Sequence, residues 1–271
     1  MRTMWPSPGV GPYPLMRPSP EGGALLDPRS ISGLVRWYDF SDINQLFTDS
    51  AATLPVTADG DAIGCVKDKS VSGIHGIQAT GGNKPVYKAG IRSGRSVARF
   101  DGTDDYMNSA SSGVWANSTG VTIIAVASMD AYSTGTDTVC GFLSNASPAT
   151  TVLAIRRTTT GTFNAGSTDG VSIVTSGNAS ASDTGWHFYA ASADVMGISV
   201  SLNIDGTTTT NGFAVPTPAT GASAFGIGSR SSSAADVLSG DLGEILVWSR
   251  FLSATEQANA INGYIRPKWG F

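Results

Sequence analysis

The chain has 271 residues, with 17 Lys and Arg against 21 Asp and Glu, and a formal net charge of −4 at neutral pH. Charged residues make up only 14% and no run of Lys or Arg occurs, which argues against phosphate-driven nucleic-acid binding. No apolar run approaches the ~20 residues needed to cross a bilayer, and 33 glycines with abundant Ser and Thr suit short strands and tight turns better than helix bundles.

Residues 1–30 differ from the rest. Seven of the 13 prolines (Pro6, Pro8, Pro12, Pro14, Pro18, Pro20 and Pro28) lie here. Their spacing excludes both helix and ladder pairing, so the segment is expected to be an extended arm. It also carries Trp5, Tyr13, Leu15, Met16, Leu25 and Leu26. A solvated spacer needs no such side chains, which favours an assembly arm packed on a neighbouring chain or on its own domain over a floppy terminus. The opening Met1-Arg2-Thr3-Met4-Trp5-Pro6 has a charge but no apolar stretch behind it, so a secretory signal is not expected. Cys65 and Cys140 lack metal-ligand spacing and read as two buried thiols of a reducing compartment; one long-range disulfide is the other arrangement open to them.

Strand signals accumulate from Ile31 onward, so 31–271 is expected to form one domain. The first is Gly33 to Asp39. Val97 to Phe100 leads into an acidic turn, and Val121 to Ala127 is apolar enough for a central strand buried on both faces. Trp186 to Ala190 follows. Ile198 to Ile204 places an aliphatic residue at every second position and stops at Asp205-Gly206, a hairpin dipeptide. Phe225 to Gly228 and Leu242 to Trp248 complete the strands. Ser253-Ala254-Thr255-Glu256 is a capping box, and Ala254, Ala258, Ile261 and Ile265 follow at helical spacing. Gly263 marks the expected end of this amphipathic helix, with Pro267 preventing continuation.

Arg99-Phe100-Asp101-Gly102-Thr103-Asp104-Asp105-Tyr106-Met107 reads as a strand end, a tight turn and a strand start. Phe100 and Tyr106 are expected to anchor inside, with Gly102 at positive φ and the aspartates bonded to local amides. Asp101, Asp104 and Asp105 are also weak candidates for a calcium site. Calcium wants six to eight oxygens, and no repeated Asp spacing elsewhere completes the shell, so no cofactor is assigned. A glycosidase needs two convergent carboxylates. Asp241 and Glu244 are three apart, which on a regular strand directs them to opposite faces. His75 and His187 have no nucleophile nearby in sequence, which disfavours a triad. The chain is therefore expected not to be an enzyme. Trp115, Tyr132 and Phe163 stand in polar, loop-like surroundings; they are the candidates for stacking on a sugar ring, with ordinary loop packing as the alternative.

Four stretches resemble laminin-G-like (concanavalin A-like) domains of the bacterial and tailed-phage type. Gly33 to Ser41 resembles the opening segment. Lys67-Asp68-Lys69-Ser70, then Gln78-Ala79 and Pro85-Val86-Tyr87, resemble the next, although Cys65-Val66 stands where an aromatic is common. Phe100 to Tyr106 resembles the "FDGtdDYl" run. Gly240 to Trp248, Leu252-Ser253, Glu256, Tyr264-Ile265 and Lys268-Trp269-Gly270 resemble the closing segment. The resemblance spans about residues 31–271 and implies an all-β jelly-roll sandwich of two antiparallel sheets with one short C-terminal helix. It implies no single activity, because this fold hosts lectins, glycosidases, adhesion modules and virion proteins.

The expected role is a virion structural protein of a tailed bacteriophage, assembled in the host cytoplasm. Capsid decoration or a head fibre comes before a tail or baseplate position. The arm would hold other virion proteins, the sandwich would face outward, and a homo-oligomer is compatible with this. The alternative is a lectin-like module that binds host-surface glycans.

Overall fold

The computed structural model describes residues 24–110, 120–130, 136–142, 153–158, 161–168, 173–179, 184–194, 199–212, 224–229 and 236–271. They form two antiparallel sheets packed face to face. The first holds β1 (Leu34–Asp39), β5 (Val86–Arg92), β6 (Arg95–Asp101), β8 (Gly120–Met129), β13 (Trp186–Asp194), β14 (Ser199–Ile204), β15 (Thr207–Gly212) and β17 (Ser239–Trp248). The second holds β2 (Leu46–Phe47), β3 (Cys65–Val66), β4 (Gly76–Ile77), β7 (Met107–Ser109), β9 (Asp137–Gly141), β10 (Ala154–Arg157), β11 (Phe163–Thr168), β12 (Ile173–Thr175) and β16 (Phe225–Ile227). The first runs β15-β14-β13-β8-β17-β6-β5, with β1 also on β17; the second runs β12-β11-β10-β9-β16-β7-β4-β3-β2.

Both faces of the first sheet are buried. One face, with Phe100, Ile123, Ala125, Tyr189, Leu202 and Ile245, meets the second sheet in the main core. The other, with Ile124, Val126, Phe188, Leu246 and Trp248, is covered by the C-terminal helix through Ile261, Tyr264, Ile265 and Trp269. This explains the near-continuous apolar run of β8, which lies between β13 and β17 and is buried on both sides. In β14, next to the edge, burial alternates as the sequence does.

The helix begins as expected. Ser253 caps α1 (Ala254–Ala260), with both arms of the capping box formed. It does not stop at Gly263. A π-helical turn over Ile261–Ile265 leads into α2 (Arg266–Trp269), which ends at Gly270 in the left-handed region (φ 74°). Pro267 sits in the first turn after the π segment, where its missing N–H is tolerated. Gly263 answers a different demand: the Leu26 amide donates to its carbonyl (2.9 Å), and a Cβ there would lie 3.1 Å from the Leu26 Cβ. Leu26 packs on the helix-covered cluster and Leu25 is exposed. Trp5, Tyr13, Leu15 and Met16 lie outside the described residues. Cys65 and Cys140 are both buried and free.

Candidate functional site

Gly243 interrupts β17. Before it, Asp241 and Leu242 pair with Arg99 and Ala98 of β6; after it, Glu244 to Trp248 pair with β1. The register against β8 also shifts between Leu242 and Glu244. A bulge of this kind inserts one extra residue into the alternation. Asp241 and Glu244 therefore leave the strand on the same face, not on opposite faces as the regular spacing predicts. Asp241 takes a bidentate bond from Arg99, 2.7 Å on each arm. Glu244 is fully buried. Its Oε1 accepts from Trp37 Nε1 (2.7 Å) and the Tyr264 hydroxyl (2.6 Å), and its Oε2 accepts from Trp269 Nε1 (2.8 Å) and lies 2.9 Å from Lys268 Nζ. Burial and the nearby Asp39 carboxylate push its pKa up, while Lys268 and the Tyr264 bond pull it back. Four donors on two oxygens fit the ionised form. Lys268 completes the group by reaching Asp39, also at 2.9 Å.

At the acidic corner, Asp101 Oδ1 accepts the Thr103 amide (2.8 Å), and Asp105 Oδ2 accepts the Asp101 amide (3.1 Å). Gly102 takes φ 72°, and a Cβ there would fall 2.6 Å from Ser239 Cβ. Phe100 is an inward anchor as expected, but Met107, not Tyr106, is the other; Tyr106 is only half-buried. Oxygens of Asp101, Asp104 and Asp105 come within 4.8 Å of one another. Two of those carboxylates are already committed to backbone amides, and three carboxylates fall short of a calcium shell. The donor set does not fit the ion.

Of the three aromatics expected at a sugar site, Trp115 and Tyr132 lie outside the described residues. Phe163 is corrected by its burial: it is 2% exposed, with its ring 4.9 Å from that of Tyr189 in the main core. Its β-strand alternates Phe163 and Ala165 inward, and that same alternation turns Asn164 to the outside of the second sheet.

Asn164 does not stand alone there. Arg156 of β10 pairs with Asn164 on one side and with Thr138 of β9 on the other. The three side chains make a polar row on the face turned away from the core, since Ile155 points inward. Thr138 is 0% and Asn164 5% exposed, yet Thr138 Oγ1 and Asn164 Oδ1 have no hydrogen-bond partner. Beside this row the cross-strand register aligns Gly226, Gly141, Ala154 and Gly166, which are buried as well. Nothing in a Ser/Thr/Gly-rich sequence distinguishes these residues from ordinary strand or loop positions. At the sandwich mouth, a cavity of about 440 Å³ is lined by His187, whose Nδ1 lies 2.5 Å from Asp205 Oδ2, with Asn178, Thr207 and Thr209. The hairpin turn at Asp205 brings the two together across 18 residues of sequence.

A model of the concanavalin A-like lectin/glucanases superfamily (Laminin_G_3) matches residues 101–256. The chain belongs to that superfamily. No curated protein matches it. Trypanosoma rangeli sialidase in complex with the inhibitor DANA is similar in structure (TM-score 0.53, 14% identity, 88% of this chain and 33% of that one). The same enzyme in its difluorosialic acid covalent intermediate matches with TM-score 0.53 and 15% identity over 85% of this chain and 33% of that one. This chain thus spans about a third of the length of those sialidases, and at such identity the likeness shows the fold alone. The Ruminococcus gnavus IT-sialidase CBM40 bound to α2,3 sialyllactose is also similar (TM-score 0.43, 15% identity, 54% of this chain and 83% of that one).

The sialidase likenesses stand against the expectation of a non-enzymatic protein. The sandwich recurs within sialidase chains, and the β17 bulge removes the sequence argument that separated Asp241 from Glu244. The family supports the lectin-like alternative, while the virion reading gains no support from any of these likenesses.

Proposed function

We propose that this chain is a glycan-binding module whose ligand enters the cavity beside the Asp205 hairpin. The observation that carries the reading is this cavity of about 440 Å³, where the exposed Asn178, Asp205 and Thr207 bring amide, carboxylate and hydroxyl groups together beside His187. A sugar hydroxyl both donates and accepts, so it can pair with each of these groups. Membership of a lectin and glucanase superfamily supports the same reading.

The test is a glycan array on the full chain, repeated with Thr207→Val and Asn178→Ala. Binding should be detected and should weaken by at least about tenfold in each variant. Both side chains are exposed, so neither substitution should lower the melting temperature. A silent array, or binding indifferent to both substitutions, overturns the reading.

A further inference from the structure

A second concavity lies between the outer face of the first sheet and the C-terminal helix. It encloses about 420 Å³, within the range of small-molecule sites. Phe188 and Ile261 form its apolar floor, and Gln257 and Asn262 rise from the helix as polar walls. Arg266 closes one end.

The guanidinium of Arg266 is largely unspent. It lies 5.0 Å from the Phe188 ring centroid and gives one long bond, 3.3 Å, to the Asp205 carbonyl, and its Nε has no partner. Among the described residues no acidic side chain lines the groove. The nearest turn carboxylate, Asp205, faces His187 and the Phe188 amide instead. Gln257 uses only its Nε2, toward the Leu252 carbonyl, and Asn262 is exposed. The groove therefore presents one uncompensated cation, an apolar strip and amide groups directed at solvent.

We propose that this groove binds a carboxylate-bearing sugar, with the carboxylate on Arg266 and hydroxyls on Gln257 and Asn262. A planar guanidinium matches a carboxylate in forked geometry. The apolar floor suits the C–H face of a sugar ring better than a fully charged ligand. The site does not rest on the glycan reading for the cavity beside the Asp205 hairpin, which uses different residues.

The probes are D-glucuronate and an oligogalacturonate, with D-glucose and acetate as controls, followed by NMR shift changes on the full chain. Both acidic probes should move the Gln257, Asn262 and Arg266 resonances, with glucose and acetate at least about tenfold weaker. A tighter oligomer identifies an acidic polysaccharide as the source, and equal affinities identify the free sugar acid; either supports the site. Arg266→Gln should weaken binding by at least about tenfold. Asn262→Trp, on the exposed helix face, should block the groove with Arg266 intact and the melting temperature unchanged. Asn178→Ala should leave binding untouched, which separates this outcome from a failure of the other cavity. No binding of either acidic probe, acetate binding as well as glucuronate, or indifference to Asn262→Trp overturns the proposal.

Discussion

Lys268 Nζ stands 2.9 Å from Glu244 Oε2 and 2.9 Å from Asp39 Oδ2, with at most 4% of any of the three side chains exposed. One buried cation thus holds two buried carboxylates, which tie β17 and β1 to the last turn of the chain. Trp37, Tyr264 and Trp269 add their hydrogen bonds to the same carboxylate. The group anchors the C-terminal helix over the first sheet.

Removing the cation strands the buried Glu244 without a positive partner, while Asp39 keeps Lys69 at 2.9 Å. Lys268→Met is expected to cost about 3–5 kcal/mol in denaturant unfolding. Adding Glu244→Gln to that variant should recover part of the loss, because the stranded charge disappears. A double variant no more stable than the single would contradict this account.

Two buried aspartates should tilt stability in opposite directions with pH. Burial pushes Asp39 up, but Lys268 and Lys69 outweigh it and hold the carboxyl well below the usual range. Its contribution is complete above the unfolded value near 4 and is lost as the pH falls through the acid range. Asp105 is the reverse: burial and the Asp101 charge push it up to about 7. Its contribution is complete below about pH 4 and lost as the pH rises through 7. With solvent close to the exposed Asp101, the Asp105 effect is expected at about 1–2 kcal/mol. Unfolding free energies of the parent and Asp105→Asn, compared from pH 4 to 8, should diverge in favour of the variant as pH rises. Parallel curves would rule the assignment out.

Gly243 sits where a side chain has no room. A Cβ would fall 2.5 Å from Trp269 Cη2, so Gly243→Ala must displace the indole or the bulge. The expected cost is about 1–3 kcal/mol, with a changed Trp269 environment in near-ultraviolet circular dichroism. An unchanged spectrum with full stability would show that the bulge tolerates the methyl group.

Phe163→Ala is expected to lower stability by about 3–5 kcal/mol through a core cavity beside Tyr189. Phe163→Leu should keep any glycan affinity, since the ring meets no ligand. Affinity lost in a fully folded Leu variant would return Phe163 to the binding surface.

Local features were legible where the chain's own chemistry sets them. The capping box of Ser253 and Glu256, the alternation ending at Asp205-Gly206 and the turn at Asp101 to Asp105 depend on neighbours within a few residues. The helix end was misplaced because Gly263 answers to Leu26, 237 residues away in sequence, and not to a cap.

By itself the sequence determined an all-β sandwich, its central strand, its closing helix and the superfamily. The central strand and the closing helix follow from periodicity and capping, which act locally; the sandwich and the superfamily follow from the resemblance of its motifs to laminin-G-like domains. Only the tertiary structure decided that Asp241 and Glu244 share a face, that Phe163 lies inside, and that Lys268 serves two carboxylates. It alone brought Thr138, Arg156 and Asn164 into one row. Bulges and cross-strand register set these relationships. A single inserted residue inverts every later side chain on a strand, and no local composition announces it.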